Sequence, residues 1–390
     1  MSSLLAWPVA RPLTARARPI AEAVAGPGRH VPALDGIRGL AVLLVLVFHI
    51  FQVEPAPRQT WLRLGYAATR FGQTGVDLFF VLSGFLITGI LFDSKTSPRY
   101  FLNFYGRRTL RIFPLYYGVL VVLLVILPAV FGLRVTGIAP VWLWTFSANF
   151  AMAAGADGGM LGHFWSLAIE EQFYLAWPWI VYALGRAALM RVCLVSLVAA
   201  AGVRVLVESQ GVSSFMITPC RVDTLLLGAL LALAARSPLG LVDWSRQAVA
   251  LALAALALGL PLCGTMRGSG SVWLQVVKYP LIAALYGAVL VLGVTAPRGS
   301  RIGQFFNHGA LRNLGKYSFG LYVYHPPLIQ GVHWLFQVVP GAAPLTEVHP
   351  AIALVVKVVI IAAGSYGLAW LSWHLYEKRF LALKRYFEYS

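Results

Sequence analysis

The sequence predicts an all-α, polytopic membrane protein with about ten transmembrane helices and with both termini on the cytoplasmic side. The first observation is composition: 59% of the 390 residues are hydrophobic and only 12% are charged, whereas a soluble domain carries about 25% charged residues. The second is pattern, because apolar runs of about twenty residues, long enough to cross a bilayer as helices, recur along the chain. The third is charge placement, since most of the 31 Lys and Arg residues fall in segments that this topology places inside.

The first predicted span, at about residues 37–53, belongs to the apolar stretch LDGIRGLAVLLVLVFHIF. Arg38 stands near its start and His49 near its end, eleven residues later. At 100° per residue this spacing makes three turns plus about 20°, so both side chains project from one face, roughly 16 Å apart along the axis. The spacing predicts a polar stripe that runs into the membrane. Taken singly, Arg38 is equally compatible with a flanking topology charge, and His49 with a satisfied core histidine.

Nine further spans follow the first, and one apolar segment does not qualify as a span. The nine are predicted at about residues 75–92, 112–131, 165–185, 190–207, 221–236, 247–263, 274–296, 317–339 and 351–376. Residues 142–152 are too short to cross a bilayer and are interpreted as a re-entrant or interfacial piece. An eleventh span at 139–153 would reverse every later loop and remove the inside bias of the Lys and Arg residues.

The predicted organisation is one membrane domain at residues 34–380 between two tails. Residues 1–33 are basic and lack the apolar core of a cleavable signal peptide, so they are predicted to form a disordered cytoplasmic tail. Residues 381–390 are expected to form a short second cytoplasmic tail. The net charge of +17 is attributed to basic loops that face anionic lipid, so no nucleic-acid partner is expected.

Ionisable residues within membrane spans are candidates for function by default, and the predicted topology sorts them into two layers. The outer layer consists of His49, Asp77, Glu170, Glu171, Arg221 and Asp223. The inner layer consists of Arg38, Arg107, Arg108, Arg111, Lys316 and Glu377. His325 is expected in the inner half of the span at 317–339. Arg107 and Arg111, in a predicted basic loop, are four residues apart, so they either grip one anionic group together or serve only as topology charges.

The sequence predicts no metal or redox site. The three cysteines, Cys193, Cys220 and Cys263, lie in or beside apolar segments and show neither metal-ligand nor disulfide spacing. The histidines are scattered, and no HExxH-type spacing occurs. The chain also has no GxSxG nucleophile elbow and no glycine-rich phosphate loop.

Six segments, taken together and in order, resemble acyltransferase family 3, a family of integral-membrane acyltransferases. They are LDGIRGLAVLLVLVFH, GVDLFFVLSGFLIT, RRTLRIFPLYY, HFWSLAIEEQFYLAWP, RVDTLLLGALLA and YSFGLYVYHPPL. The resemblance covers about residues 32–380, and its order and spacing make it specific, whereas any one segment alone would be weak. It implies transfer of an acyl group, often acetyl, from acyl-CoA to a hydroxyl of a glycan, a glycolipid or a glycosylated small molecule, at a bacterial cytoplasmic membrane.

The resemblance also assigns roles to residues. The family's Arg-ten-residues-His signature corresponds to Arg38 and His49, and its arginine loop corresponds to the segment 107–111. Its WSLxxExxFY segment corresponds to Trp165, Ser166, Leu167, Glu170, Phe173 and Tyr174. Some members carry an appended esterase-like domain of the SGNH type. Because this sequence stops at Ser390, that domain is expected to be absent, which leaves open direct transfer or transfer through a separate partner.

The residue pattern and the resemblance together predict a mechanism. The phosphates of acyl-CoA bind the basic cluster and Arg38, and the pantetheine arm lies along the stripe towards His49. His49 acts as general base on the acceptor hydroxyl, oriented by Glu170 or Asp77, or else forms an acyl-imidazole itself. The acceptor site is predicted to include Trp165, Ser166, Tyr174, Arg221, Asp223 and His325. No metal is expected, and membrane lipid is the remaining partner.

A transporter or flippase is the alternative function, since ten helices with charged groups at membrane depth also fit that class. The sequence shows no internal repeat and no pair of Gly/Pro-broken helices in two corresponding halves, which transporter folds often contain. Acyl transfer from acyl-CoA in the absence of any ion gradient distinguishes the two classes.

Overall fold

A computed structural model describes residues 31–53, 60–237, 240–241, 244–259, 272–339 and 350–388. Within these ranges the chain forms helices and connecting turns, and no strand occurs. Most of the predicted tail at 1–33 lies outside the described residues, as does Cys263.

The α-helices of the described residues are numbered in chain order. They are α1 (Pro32–Gln52), α2 (Thr60–Thr69), α3 (Gly75–Asp93), α4 (Tyr100–Leu120), α5 (Leu127–Phe131), α6 (Pro140–Trp144), α7 (Ala148–Ala153), α8 (Phe164–Ala183), α9 (Arg186–Ser209), α10 (Thr218–Ala235), α11 (Ser245–Gly259), α12 (Val272–Thr295), α13 (Arg301–Asn307), α14 (Gly309–Val338), α15 (Pro350–Ser372) and α16 (Lys378–Ala382). Two π-helical turns, Val121–Ile126 and Trp373–Glu377, join α4 to α5 and α15 to α16 as continuous long helices.

Each of the ten predicted spans overlaps a described helix, although the bounds differ and residues 260–263 of the span at 247–263 lie outside the described residues. The chain is a helical membrane protein. Seven described helical stretches are long and apolar enough to cross a membrane: Pro32–Gln52, Gly65–Asp93, Tyr100–Phe131, Arg186–Ser209, Thr218–Ala235, Val272–Thr295 and Ala351–Tyr386. The helices of the other three predicted spans are too short or too polar to be included. Two glutamates and a glutamine lie in the first half of α8, α11 has only 15 residues, and α14 mixes cations and histidines with apolar residues. The count of ten and the side of the termini stay predictions.

The basic cluster at 107–111 lies on a helix, so the prediction that it forms a loop is wrong. The helix α4 begins at Tyr100, whereas the charge pattern placed the start of the span at residue 112. Dense positive charge is typical of a loop beside a membrane, but a helix can also carry guanidinium groups where one of its faces borders a polar cleft.

The segment 142–152 forms two short helices, α6 and α7, and this agrees with the interpretation that it is not a span. Phe146 lies between them with a φ of 51°, in the left-handed region, and this turns the chain. The hydroxyl groups of Tyr116 and Tyr117 in α4 donate to the carbonyl oxygens of Leu143 and Trp144, at 2.7 and 3.1 Å. The short helices are therefore anchored to the far half of α4.

The helices α1 and α14 run side by side in the same direction and in close contact. Val42 packs near Tyr317, and Ile50 further along packs near Ile329. A Cβ atom placed on Gly315 would lie 1.9 Å from the carbonyl oxygen of Asp35. Membrane helices approach this closely where small residues meet, because lipid supplies no hydrophobic force between them.

The end of the described chain packs onto α4. Its last turn is a 3₁₀-helix, Leu383–Tyr386. The side chain of Asn103 donates to the carbonyl oxygen of Glu388 at 2.6 Å, and Gly106 leaves room for the ring of Phe387, which a Cβ atom there would meet at 2.4 Å. The predicted boundary at residue 380 therefore does not coincide with a structural boundary.

Candidate functional site

A wide basic cleft lies where the first turns of α1 and α14 meet α4 and the end of the chain, and we call it the vestibule. Its volume is about 810 Å³. It is lined by Asp35, Arg38, Arg108, Arg111, Gly309, Arg312, Asn313, Lys316, Trp373, Leu381 and Lys384. Six of these residues are Lys or Arg and one is acidic, so the cleft concentrates positive potential and suits a polyanionic ligand.

A second cavity, of about 110 Å³, adjoins the vestibule, and we call it the narrow cavity. The two share the side chains of Arg38, Arg108 and Arg111, which we call the neck. The other polar residues of the narrow cavity are Ser83, Ser166, Glu170, Tyr174, Ser318 and Tyr322. A ligand that extends from the vestibule into the narrow cavity must pass between the three guanidinium groups.

Each neck arginine is held by a different partner. A nitrogen of Arg38 (Nη1) lies 3.5 Å from Oδ1 of Asp35, one turn earlier in α1. In Arg111, Nη1 lies 4.0 Å from Oε2 of Glu377, at the end of the second π-helical turn. The guanidinium of Arg108 stands over a tyrosine ring of α8, 4.4 Å from the ring centre. These partners limit the positions that the three side chains can adopt.

The structure places Arg107 away from the neck, although the sequence predicted that it would act with Arg111. Its guanidinium donates to the carbonyl oxygens of Lys384 and Phe387, at 3.3 and 3.0 Å. The residues that line the vestibule and the narrow cavity do not include Arg107. The pair that meets in the neck is Arg108 and Arg111, which also share a helix face because they are three residues apart.

One wall of the narrow cavity is a hydrogen-bonded set on α8 and α3. Tyr174 donates to Glu170, one turn earlier in α8, and its hydroxyl also contacts that of Ser83 in α3. The sequence placed Glu170 in an outer layer with His49, but the structure places it in the same cavity as Arg38. The reason is that Glu170 lies about two turns into α8, which carries it along the helix to the level of the neck.

Tyr322 connects the narrow cavity with a group of histidines. Its hydroxyl donates to the carbonyl oxygen of His163 at 2.9 Å and lies 2.5 Å from Oγ of Ser166. Its ring centre lies 5.4 Å from that of His163 and 5.8 Å from that of His325. Ser166, predicted for acceptor binding, therefore lies between the cavity and these rings.

Three histidines meet beyond Tyr322, and we call them the histidine cluster: His49 in α1, His325 in α14 and His163 directly before α8. The ring centres of His49 and His325 are 4.9 Å apart, and those of His163 and His325 are 5.6 Å apart. The expectation that His325 lies in the inner half of its helix is wrong. Because α14 begins at Gly309 instead of at residue 317, His325 reaches the level of His49.

Backbone contacts determine the tautomers of two of these rings. Nδ1 of His49 lies 3.0 Å from the carbonyl oxygen of Val45, and Nδ1 of His325 lies 3.0 Å from that of Leu321. A carbonyl oxygen only accepts, so each Nδ1 carries the hydrogen and each neutral ring keeps its lone pair on Nε2. Nε2 of His325 lies 3.2 Å from Nδ1 of His49, and therefore accepts a hydrogen bond from it.

The sequence reasoning did not single out His163. This side chain is only 4% exposed, and neither of its ring nitrogens makes a hydrogen bond of ordinary geometry with a described residue. The sequence contained one signal for it, since His163 lies directly before Phe164, Trp165 and Ser166, a segment with predicted site residues. Nothing in that spacing indicates that the ring faces His325, because this contact joins distant parts of the chain.

The histidine cluster lies beyond the narrow cavity, on the side away from the vestibule. None of its three rings lines that cavity, but Tyr322, which does, contacts His163 and His325. The first turns of α1 and α14, with Asp35 and Gly309, line the vestibule, and both helices reach the cluster several turns later. In contrast, α8 begins at the cluster beside His163 and reaches Tyr174, next to Arg108, about three turns later. The segment that precedes α8 therefore arrives at the cluster from the end remote from the vestibule.

Asp77, Arg221 and Asp223 lie in a separate set of buried ion pairs. Nη2 of Arg221 in α10 lies 2.5 Å from Oδ1 of Asp77 in α3, and Arg204 of α9 pairs with Asp223 of α10. Trp165 packs against this set, with its ring centre 5.9 Å from the guanidinium of Arg221. None of these residues lines the vestibule or the narrow cavity. Their contacts tie α3, α9 and α10 together.

Within the described residues, no group of three His, Cys, Asp or Glu side chains is arranged to hold a metal ion. Cys193 and Cys220 are buried free thiols. The polar groups that line the vestibule and the narrow cavity are guanidinium, ammonium, amide, hydroxyl and carboxyl groups of the chain itself.

Comparison with known proteins identifies similar sequences among membrane-bound transferases. The profile of a family described as an acyltransferase domain, acyltransferase family 3, matches residues 31–374. The O-acetyltransferase OatA of Staphylococcus aureus is 28% identical over 339 residues, which are 81% of this chain and 53% of that protein. The peptidoglycan O-acetyltransferase OatA of Listeria monocytogenes is 29% identical over 328 residues, 77% of this chain and 50% of that protein.

A third relative is the putative peptidoglycan O-acetyltransferase YrhL of Bacillus subtilis, 29% identical over 381 residues, 90% of this chain and 55% of that protein. The chain thus spans about half the length of the curated relatives it matches. No solved structure matches it. Because the family profile covers the helices α1, α4, α8 and α14, which carry the neck and the histidine cluster, the chain belongs to acyltransferase family 3.

Proposed function

We propose that this protein is a membrane O-acyltransferase that moves an acyl group, above all acetyl, from acyl-CoA to a hydroxyl of a saccharide-containing acceptor. The observation that carries the proposal is the succession of a basic vestibule, a neck of three arginines and a narrow cavity. The cavity is lined by Tyr322, whose ring adjoins the paired histidines. The relatives are named O-acetyltransferases, two of them with peptidoglycan in the name, and this supports a saccharide acceptor.

The charge and width of the path support a short-chain thioester of CoA as the donor. CoA carries several phosphate charges, and guanidinium groups bind phosphate oxygens with paired hydrogen bonds. The pantetheine arm is thin enough to pass the neck while the phosphates remain in the vestibule. The narrow cavity of about 110 Å³ corresponds to about four water molecules. An acetyl group suits that space better than a fatty acyl chain does.

The chemical step that we propose begins at His49. The acceptor hydroxyl gives its proton to Nε2 of His49 while its oxygen attacks the carbonyl carbon of the thioester. The C–O bond forms, the C–S bond breaks, and the sulfur of CoA leaves with the proton from the imidazolium. While the ring is charged, its Nδ1–H is stabilised by the carbonyl oxygen of Val45 and by Nε2 of His325.

His325 is proposed as the group that orients His49, in the position that an aspartate takes in a catalytic triad. The two carboxylates considered for this role have other partners, since Asp77 pairs with Arg221 and Glu170 accepts from Tyr174. We propose that Glu170 instead fixes Tyr174, whose ring lies against a neck arginine. An acyl-imidazole on His49 remains the covalent variant of this mechanism.

We further propose that the acceptor is a glycan or glycolipid of the cell envelope and that the membrane is the bacterial cytoplasmic membrane. The support for the acceptor is the names of the relatives. The support for the membrane is the resemblance of the chain to this family and the excess of Lys and Arg in segments that face the inside in the predicted topology. On that topology the vestibule opens to the cytoplasm, where acyl-CoA is made.

The test is a transfer assay with purified protein in lipid nanodiscs, without any ion gradient. Acetyl-CoA and chitotriose are added, and release of the CoA thiol and the mass of the sugar are measured. Wild-type protein is expected to acetylate the sugar. His49→Ala should retain less than about a tenth of the rate, because general-base catalysis contributes about 10²–10⁴-fold. His49→Gln should be nearly as inactive, since an amide cannot take the proton.

His333→Ala is the matched control for the loss of an imidazole. His333 lies in α14, and its Nδ1 contacts the carbonyl oxygen of Ile329 just as the Nδ1 of His325 contacts that of Leu321. This variant should keep its activity. Activity above a tenth of the wild-type rate in His49→Ala would remove His49 from the catalytic role. Movement of the sugar across sealed vesicles without acetylation would favour a transporter.

A further inference from the structure

His163 is a buried group that the transfer mechanism leaves without a task. Its side chain is 4% exposed, and neither ring nitrogen makes a hydrogen bond of ordinary geometry with a described residue. Buried polar atoms nearly always have a partner in folded proteins, because leaving one unsatisfied is unfavourable. The backbone of Val323 interacts with the ring and can serve one of its nitrogens, so at least one nitrogen of this buried imidazole is left without a partner among the described residues. A free ring nitrogen beside the paired histidines points to a ligand.

The backbone carbonyl group and the ring carbons of His163 make contacts that fix its position without using the ring nitrogens. Its carbonyl oxygen accepts from the hydroxyl of Tyr322 at 2.9 Å and from Oγ of Ser166 at 3.2 Å. Its ring lies edge-on to Phe164, with the ring centres 4.6 Å apart, and near His325. Although His163 stands at the N-terminal cap of α8, its side chain makes no capping hydrogen bond. The ring is positioned before any ligand arrives, as an efficient binding group requires.

The position of His163 indicates which substrate it meets. In the proposed mechanism the donor extends from the vestibule into the narrow cavity, where Tyr322 stands between the cavity and the ring of His325. The segment that precedes His163, with α6 and α7, arrives at the cluster from the opposite end. An acceptor that approached from that end would meet His163 beside the paired rings of His325 and His49.

We propose that His163 binds the acceptor and positions the hydroxyl that attacks the thioester. A neutral imidazole offers one donor and one acceptor nitrogen, which is what a neutral, hydroxyl-rich ligand such as a sugar needs. This assignment rests on the proposed acyl transfer and adds the residue that selects its acceptor. The covalent steps at His49 are unchanged, since His163 only holds the sugar oxygen in place.

The test compares His163→Phe with His163→Asn in nanodiscs, with chitotriose as acceptor and acetyl-CoA as donor. Phenylalanine keeps a flat ring but removes both nitrogens, so the KM for chitotriose should rise about tenfold or more. Asparagine retains a donor and an acceptor, so it should recover part of that loss. The Kd for acetyl-CoA, measured by calorimetry, should stay within about twofold of wild type in both variants, because the neck is untouched.

The outcomes separate the two proposals. An unchanged KM for chitotriose in both variants overturns the assignment of His163, and so does a fall in kcat alone, which would make the ring a proton relay. If His163→Phe loses acetyl-CoA binding through misfolding, His163→Asn decides alone, since it must raise the KM with acetyl-CoA binding intact. A wild-type protein that neither binds acetyl-CoA nor transfers acetyl refutes the proposed function itself.

Discussion

At the scale of single residues, the neck arginines differ in what a bound phosphate would have to displace. Arg38 and Arg111 each lie beside a carboxylate, Asp35 and Glu377, so an anionic ligand competes with these carboxylates. The guanidinium of Arg108 instead lies over a tyrosine ring, so a phosphate that binds it competes with an aromatic contact and not with a carboxylate. Arg108 is therefore the neck residue best prepared for the donor.

Arg108→Ala is expected to weaken acetyl-CoA binding by about tenfold or more, because one charge-assisted hydrogen bond to phosphate contributes about 1.5–3 kcal/mol. Arg107→Ala is the matched control, since the adjacent arginine donates to the carbonyl oxygens of Lys384 and Phe387 and lines neither cavity. Calorimetric titration of both variants with acetyl-CoA gives the comparison. Equal losses of affinity for acetyl-CoA in the two variants would contradict the proposal that the neck binds the phosphates. Both arginines would then serve only as topology charges.

At the scale of elements, the histidine pair depends on the contact between α1 and α14. Gly39 and Gly315 allow that contact, because a Cβ atom on either would lie 1.9 Å from a backbone carbonyl oxygen of the other helix. Protein interiors are closely packed, so a methyl group added at this point must push the two helices apart. His49 and His325 lie on these two helices, and the hydrogen bond between their rings depends on the same separation.

Gly315→Ala should lower both the thermal stability and the transfer rate. We expect the rate to fall about a hundredfold, since a displacement of about 1 Å can cost that much in a catalytic site. Gly331→Ala makes the same chemical change in the same helix at a position with open space around it. It should be neutral or stabilise the helix by about 0.5–1 kcal/mol. Thermal unfolding and the chitotriose assay report both effects, and similar behaviour of the two variants would argue against the close contact.

The buried ion pairs hold α3, α9 and α10 in position relative to one another. Asp77 pairs with Arg221, and Asp223 pairs with Arg204, all of them almost fully buried. Removal of one partner from a buried pair leaves an uncompensated charge and costs about 3–5 kcal/mol. An inactive variant of Asp77 would therefore reflect misfolding as readily as chemistry. These residues are best explained as bundle-stabilising groups in this structure, and not by the catalytic and acceptor-binding roles that the sequence predicted for Asp77, Arg221 and Asp223.

At the scale of the whole molecule, the proposed site is a path with two ends. The vestibule has the positive charge that holds a phosphate-bearing donor, whereas His163 and the segment before α8 form the other end. The proposed arrangement lets the acyl group cross much of the bilayer while the charged part of CoA stays where it binds. Donor and acceptor then need not share a compartment.

In sealed vesicles of known orientation, acetyl-CoA is expected to work only from the side to which the vestibule opens. A membrane-impermeant sugar acceptor should work only from the opposite side, because each substrate reaches the histidine cluster from its own end. Adding each substrate inside or outside the vesicles gives four combinations, of which one should be active. Activity with both substrates confined to the vestibule side would exclude transfer across the bilayer.

The sequence by itself determined the properties that depend on local pattern. Hydropathy over about twenty residues identified a helical membrane protein, helical periodicity placed Arg38 and His49 on one stripe, and the short length of 142–152 argued against a span there. The structure places Arg38 in the neck and His49 in the histidine cluster, further along the same helix. Each of these inferences needs only residues that are neighbours along one helix.

The tertiary structure decided which of the polar residues act together. It brought His325 and His163 to His49, placed Glu170 beside the neck, and separated Arg107 and Asp77 from both cavities. These outcomes depend on where each helix begins and on which turn of one helix meets which turn of another. Periodicity within a helix carries no information on that register, because it is set by packing between residues far apart in the chain, such as Gly315 against Asp35.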